Sequence, residues 1–119
     1  MKIKGKEVRL PKAFKKKWIA ALRSGEYKQG KEMLYNHDTK EYCCLGVAGI
    51  ICGLEKHDIN GSGLLQEANG YGLEKVPELL VGSDEKDDSD YNIIADKLTI
   101  MNDNGKSFNY IASYIERYL

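Results

Sequence analysis

The chain has 119 residues, 42% hydrophobic and 30% charged, and its eighteen basic and eighteen acidic side chains cancel to a formal net charge of zero. That size suits one domain with one core, and the longest apolar run, Cys43 to Cys52, is too short for a membrane span. Three cysteines, two of them adjacent, argue against a disulfide framework, and the lysine-rich start lacks a signal peptide's apolar stretch, so reduced thiols in the cytosol are expected.

Charge is unevenly spread. Met1 to Lys17 carries eight lysines and arginines against one acid, and Ser83 to Asp90 carries five acids against one lysine. Residues 1–10 read as a basic arm able to attract phosphates, nucleic acid or an acidic partner, and residues 83–90 as an exposed acidic loop.

From Pro11, placed at a first helical position, Phe14, Trp18, Ala21 and Leu22 keep helical spacing until Gly25 stops the helix. Trp18 is predicted to be core, with Lys12, Lys15, Lys16 and Arg23 mostly on the solvent face. Helical period then disappears. Glu32 to Tyr35, Asn36 to Thr39 and Lys40 to Tyr42 read as strand, turn and strand.

Cys43 to Leu54 is nearly all apolar or small, with Cys44, Val47, Ala48 and Ile51 on one face and a stop at Gly53, which predicts a central, close-packed helix. Asn60-Gly61-Ser62-Gly63 and Asn69-Gly70-Tyr71-Gly72 punctuate a long loop, and Pro77 to Val81 can make one helical turn. Ile93, Ile94, Leu98 and Met101 keep helical spacing up to Asn102-Asp103-Asn104-Gly105. Ser107 then caps a last helix with Phe108, Ile111, Ala112, Ile115 and Leu119 inward and Asn109, Ser113, Glu116 and Arg117 outward. These elements describe a small, single-domain α+β fold, mainly helical with about four helices, in which a short β-hairpin precedes a buried central helix.

Cysteine at a helix start is where a thiolate is favoured, which makes Cys44 a candidate nucleophile. A cysteine hydrolase also needs a base and an orienting group, for which His37 or His57 and Asn102 or Asp103 are the available side chains. Against that stands the bland role of a small buried core residue. No metal is expected, because adjacent Cys43 and Cys44 cannot easily turn both sulfurs onto one ion. No cofactor is expected either, and Gly61-Ser62-Gly63 lacks the lysine of a phosphate-binding loop.

A second constellation joins tyrosines to the same helix start. Tyr27, Tyr35, Tyr42 and Tyr71 offer stacking surfaces and the helix offers unpaired N–H groups, a pairing that suits a nucleotide-like anion. The candidate ligand-binding residues are Tyr27, Gln29, Tyr42, Cys43, Cys44, Asn102 and Asp103.

Trp18, then Ala21-Leu22-Arg23-Ser24-Gly25-Glu26-Tyr27-Lys28-Gln29-Gly30, then Tyr42-Cys43-Cys44-Leu45-Gly46-Val47 resembles small uncharacterised proteins of tailed phages and prophages. Met101 to Phe108 and the helix Ile111 to Glu116 are similar to the C-terminal segment of those proteins. The resemblance covers both ends and skips the middle, and its pattern includes neither histidine. It implies a phage or prophage origin and no particular activity; taken with the anion-friendly helix start, it leads to the expectation of an accessory protein that binds a small anion such as a nucleotide and sequesters or removes a host defence signal such as a cyclic nucleotide. The alternatives are the Cys44 hydrolase and an inhibitor that binds a host protein through the basic helix face and acidic loop. No membrane partner is expected, and the uniformly apolar Cys43 to Leu54 helix is compatible with a homodimer.

Overall fold

A computed structural model describes residues 2–3, 5–63, 65, 76–81 and 90–119. Its elements are β1 (Lys2–Ile3), β2 (Lys6–Glu7), α1 (Lys12–Arg23), β3 (Tyr35–Asn36), β4 (Glu41–Tyr42), α2 (Cys44–Ile51), α3 (Lys56–Ile59), α4 (Glu78–Val81), α5 (Asp90–Asp103) and α6 (Phe108–Tyr118). The fold is the expected mainly helical α+β type, with the β3–β4 hairpin leading directly into a buried α2. Six helices stand among the described residues: the four long ones expected, the single turn α4 where Pro77 to Val81 was expected to make one, and α3, a four-residue turn too short to show periodicity.

The basic arm is more structured than its charge suggests. Lys2 pairs with Glu7 and Ile3 with Lys6 around Gly5, which sits at φ +81°. Val8 and Leu10 are buried, and the Leu10 N–H donates to the Leu119 carbonyl at 2.9 Å, so the arm is docked on the C-terminus.

Helix α1 begins one residue later than expected. Pro11 keeps an extended ψ of 135° and acts as N-cap, its carbonyl accepting the Lys15 N–H at 2.9 Å. Gly25 follows the C-cap Ser24 at φ +79°, as the stop signal required. Helix α1 packs against α6 and α2, and the Trp18 Nε1–H donates to the Cys44 carbonyl at 3.0 Å inside the core.

The hairpin is shorter than its sequence run. Strand β3 starts only at Tyr35, because Glu32 adopts φ +70° and turns the chain away from ladder geometry. Strand β4 instead gains a second neighbour. The Tyr42 N–H donates to the Lys28 carbonyl and the Gly30 N–H to the Tyr42 carbonyl, both at 2.7 Å. On its other side, β3 bridges to Asn60, and the Gly61 N–H reaches the Tyr35 carbonyl at 3.0 Å.

Residues Cys44 to Gly49 of α2 are all buried, and around them lie Trp18, Leu22, Leu34, Ile94, Leu98, Ile111 and Ile115 in one contiguous core. The stripe of α6 is buried and its expected outward residues are exposed. Ser107 caps it as predicted, accepting the Tyr110 N–H at 3.1 Å. Asn69 to Gly72, including Tyr71, and the acidic residues 83–89 lie outside the described residues; Asp90 opens α5. No helix among the described residues is long and apolar enough to cross a membrane.

Candidate functional site

Segments that are distant in sequence meet at the start of α2. Asn102, near the end of α5, is the buried polar side chain at the centre. Its Oδ1 accepts the Cys44 N–H at 3.2 Å and a Gln29 Nε2–H at 3.0 Å, and its Nδ2 donates to the Gly30 carbonyl at 2.7 Å. Gln29 in turn donates to the Lys106 carbonyl at 2.7 Å and accepts the Phe108 N–H at 3.0 Å. Asp103 Oδ1 accepts the Glu32 N–H at 2.9 Å and an Asn102 Nδ2–H at 3.3 Å, which holds Glu32 in its left-handed conformation. Residues 29–32, the start of α2 at Cys44 and residues 102–108 therefore converge on one clasp.

This corrects the expected ligand site. Gln29, Asn102 and Asp103 spend their hydrogen bonds on the chain itself, tying α5, α6 and residues 29–32 to the start of α2. Cys43 is the N-cap and its Sγ accepts the Gly46 N–H at 3.4 Å. With the Cys44 N–H taken by Asn102 and residues 43–49 buried, the anion-friendly helix end is closed.

Cys44 is also misplaced for nucleophilic chemistry. It is fully buried, and its thiol faces the Leu98 carbonyl at 3.7 Å. Burial pushes that thiol well above 9, reinforced by Cys43 and opposed by the Leu45 N–H. His37 is exposed on the hairpin turn, and exposed His57 lies between Glu55 and Asp58, 3.2 Å from each carboxylate. Asp103 is committed to the clasp. The hydrolase constellation of Cys44, His37 or His57 and Asp103 is not assembled.

Burial also pushes the Cys43 thiol up to about 11, with partial relief from the Gly46 and Leu45 N–H groups. A folded state that holds its protons more tightly than the unfolded one contributes stability that is complete below the unfolded value of 9.0 and is lost as pH rises to about 11. The urea midpoint should therefore fall over that alkaline window. Under native conditions iodoacetamide should reach the half-buried Cys52 before Cys43 or Cys44, and a Cys44 that is labelled as fast as a free thiol would refute this picture.

What lines a surface depression is a different set, laid over the rings of Tyr35 and Tyr42, which are 3% and 7% exposed and so are not the open stacking surfaces expected. Tyr42 lies between two other tyrosines, 5.2 Å from the Tyr27 ring at 87° and 4.7 Å from the Tyr35 ring at 43°. Burial pushes the Tyr42 phenol up, and Lys56 beside it pulls the other way. The Lys56 ammonium stands 5.7 Å from the Tyr35 ring centroid. Tyr35, His37, Lys56, His57 and Asn60 line an open depression of about 410 Å³. The Asn60 Oδ1 accepts the His37 N–H at 3.0 Å, which fixes the turn against α3.

A family model described as Domain of unknown function (DUF8296) matches residues 10–119. The chain belongs to this family. No curated protein and no solved structure matches it. The DUF8296 match begins at Leu10, the residue bonded to Leu119, so β1 and β2 lie outside the matched span while the clasp and the depression lie inside it.

Of the sequence candidates, His37 and His57 do share a surface, though without Cys44, and Tyr27 and Tyr42 lie behind it. Lys56 and Asn60 were missed. Lys56 is one of eighteen basic residues and carries no local signal. Its place over Tyr35 depends on the bridge between Tyr35 and Asn60, a pairing that no periodicity reveals.

Proposed function

We propose that this DUF8296 protein binds a small, ring-bearing anion of nucleotide type at the depression bordered by Tyr35, His37, Lys56, His57 and Asn60. The observation that carries this reading is the cation of Lys56 held 5.7 Å from an aromatic ring at the edge of an open depression. A phosphate is recognised by an ammonium and N–H donors, and a base by a ring face, which here is the exposed His37 imidazole, because Tyr35 is itself buried. Both ring nitrogens of His57 already meet carboxylates, which leaves Lys56 to supply the charge.

Binding without turnover is the form this takes, since the candidate nucleophile Cys44 is buried. The resemblance to phage and prophage proteins makes sequestration of a host defence signal, such as a cyclic nucleotide, the first case to test. Calorimetry with a panel of cyclic and linear nucleotides should find a stoichiometric ligand, and Lys56→Gln should weaken it by about tenfold or more. Absence of heat and thermal shift across the panel would end this reading. A ligand bound equally well by the Lys56→Gln variant would move the site elsewhere.

A further inference from the structure

Helix α1 carries a second feature, remote in purpose from the tyrosine cluster. Lys12, Lys16, Ile19, Ala20 and Arg23 follow one another at helical spacing along one stripe. Between this stripe and α6 runs a groove of about 430 Å³ with an apolar floor at Ile19 and Ala20 and a rim of Lys12, Lys15, Lys16 and Arg23. Its one acidic wall, Glu116, is already engaged, because its carboxylate meets Arg23 at 3.1 Å and its carbonyl accepts from the Lys15 ammonium at 3.1 Å. A second depression of about 240 Å³ shares Lys12, Lys15 and Glu116 and continues to Arg117 and to Arg9, which is paired with Glu7 at 3.1 Å.

We propose that this groove docks an acidic amphipathic helix of a partner protein. Such a helix meets both properties of the groove at once, apolar side chains reaching the floor while carboxylates face the lysine rim. The stripe from Lys12 to Arg23 is about 16 Å long at the helical rise, enough for about three turns of a docked helix. A nucleic-acid backbone would use the rim and gain nothing from the apolar floor. The groove is separate from the depression at Lys56, so this inference stands or falls without the proposed ligand.

The test is fluorescence anisotropy with a labelled helical peptide of about sixteen residues that has leucines along one stripe and glutamates elsewhere. It should bind, weaken with added salt, and lose about tenfold or more in affinity to the double variant Lys12→Glu/Lys16→Glu. Both replaced residues are exposed, and an unchanged thermal midpoint confirms that the variant folds. A scrambled peptide of the same composition should bind about tenfold more weakly, and the uncharged Ala20→Gln should weaken the amphipathic peptide alone. Equal binding of both peptides would reduce the groove to a plain charged surface and overturn the proposal. So would no binding, or a short DNA duplex binding as tightly as the peptide. Lys56→Gln should leave the peptide affinity unchanged.

Discussion

Asn102→Ala should lower the unfolding free energy by about 2–5 kcal/mol, read as a fall in the urea midpoint. The side chain is fully buried and serves two backbone groups that have little access to water, the Cys44 N–H and the Gly30 carbonyl. Leaving either unpaired costs about 1–3 kcal/mol, and the vacated volume adds to that. Asn102→Asp should also destabilise at neutral pH, because it cannot donate to Gly30 and sets a second carboxylate against Asp103.

Gln29→Ala should cost less, since Gln29 is only half buried and water can reach some of its partners. Because Gln29 and Asn102 share a hydrogen bond, the double replacement should depart from additivity by about 0.5–3 kcal/mol. Asn104→Ala, at an exposed neighbour, should stay within about 0.5 kcal/mol of the parent. If Asn102→Ala behaves like Asn104→Ala, the clasp does not hold the fold together.

Gly46→Ala should destabilise by about 3 kcal/mol or more, for a steric reason. A methyl group at Gly46 would lie 1.9 Å from the Leu34 carbonyl oxygen and 2.7 Å from its carbon. Backbone atoms give way only if the segment moves, and Leu34 is held on both sides. Its N–H donates to the Ser62 carbonyl at 2.7 Å and its carbonyl accepts the Cys43 N–H at 3.2 Å.

Gly49→Ala is the matched comparison. There the added methyl would meet side-chain atoms, of Leu54 at 3.1 Å, Leu65 at 3.2 Å and Ile59 at 3.7 Å, of which the two leucine ends can shift slightly, and alanine raises helix propensity by up to about 1 kcal/mol. Denaturation curves should separate the two variants clearly. Similar midpoints for Gly46→Ala and Gly49→Ala would contradict the close approach of Leu34 to α2.

Much of the helical framework was legible from local chemistry. The stripes of α1 and α6, the Ser107 cap and the stops at Gly25 and Gly53 each depend on residues within a few positions of one another. The central helix was legible too, since a run with no polar face has nowhere to go but inside. Local chemistry failed where partners came from afar. The β1–β2 hairpin was hidden by its charges, and β3 was shortened by a left-handed Glu32 that Asp103 stabilises from the other end of the chain.

The candidate site was legible in its residue types and not in its grouping. Gln29, Asn102 and Asp103 were singled out as ligand-binding residues, and their hydrogen bonds are internal. Polar side chains with free hydrogen bonds and polar side chains with satisfied ones look alike in a sequence. The same holds for Cys44, whose place at a helix start favours a thiolate only if the helix end is open; Asn102 and the packing of Leu34 close it. His37 and His57, either of which was the candidate base of the alternative hydrolase reading, stand beside Lys56, because pairing of Tyr35 with Asn60 draws the hairpin turn to α3.

By itself, then, the sequence determined the main helices and the buried one they surround, because propensity, capping and amphipathic period act over one or two turns. Only the tertiary structure decided which surfaces stay open. Contacts between residues 29, 44 and 102, and between 35, 56 and 60, join positions that are far apart in the chain, and no local rule sets whether a polar group finds its partner in the protein or leaves it free for a ligand.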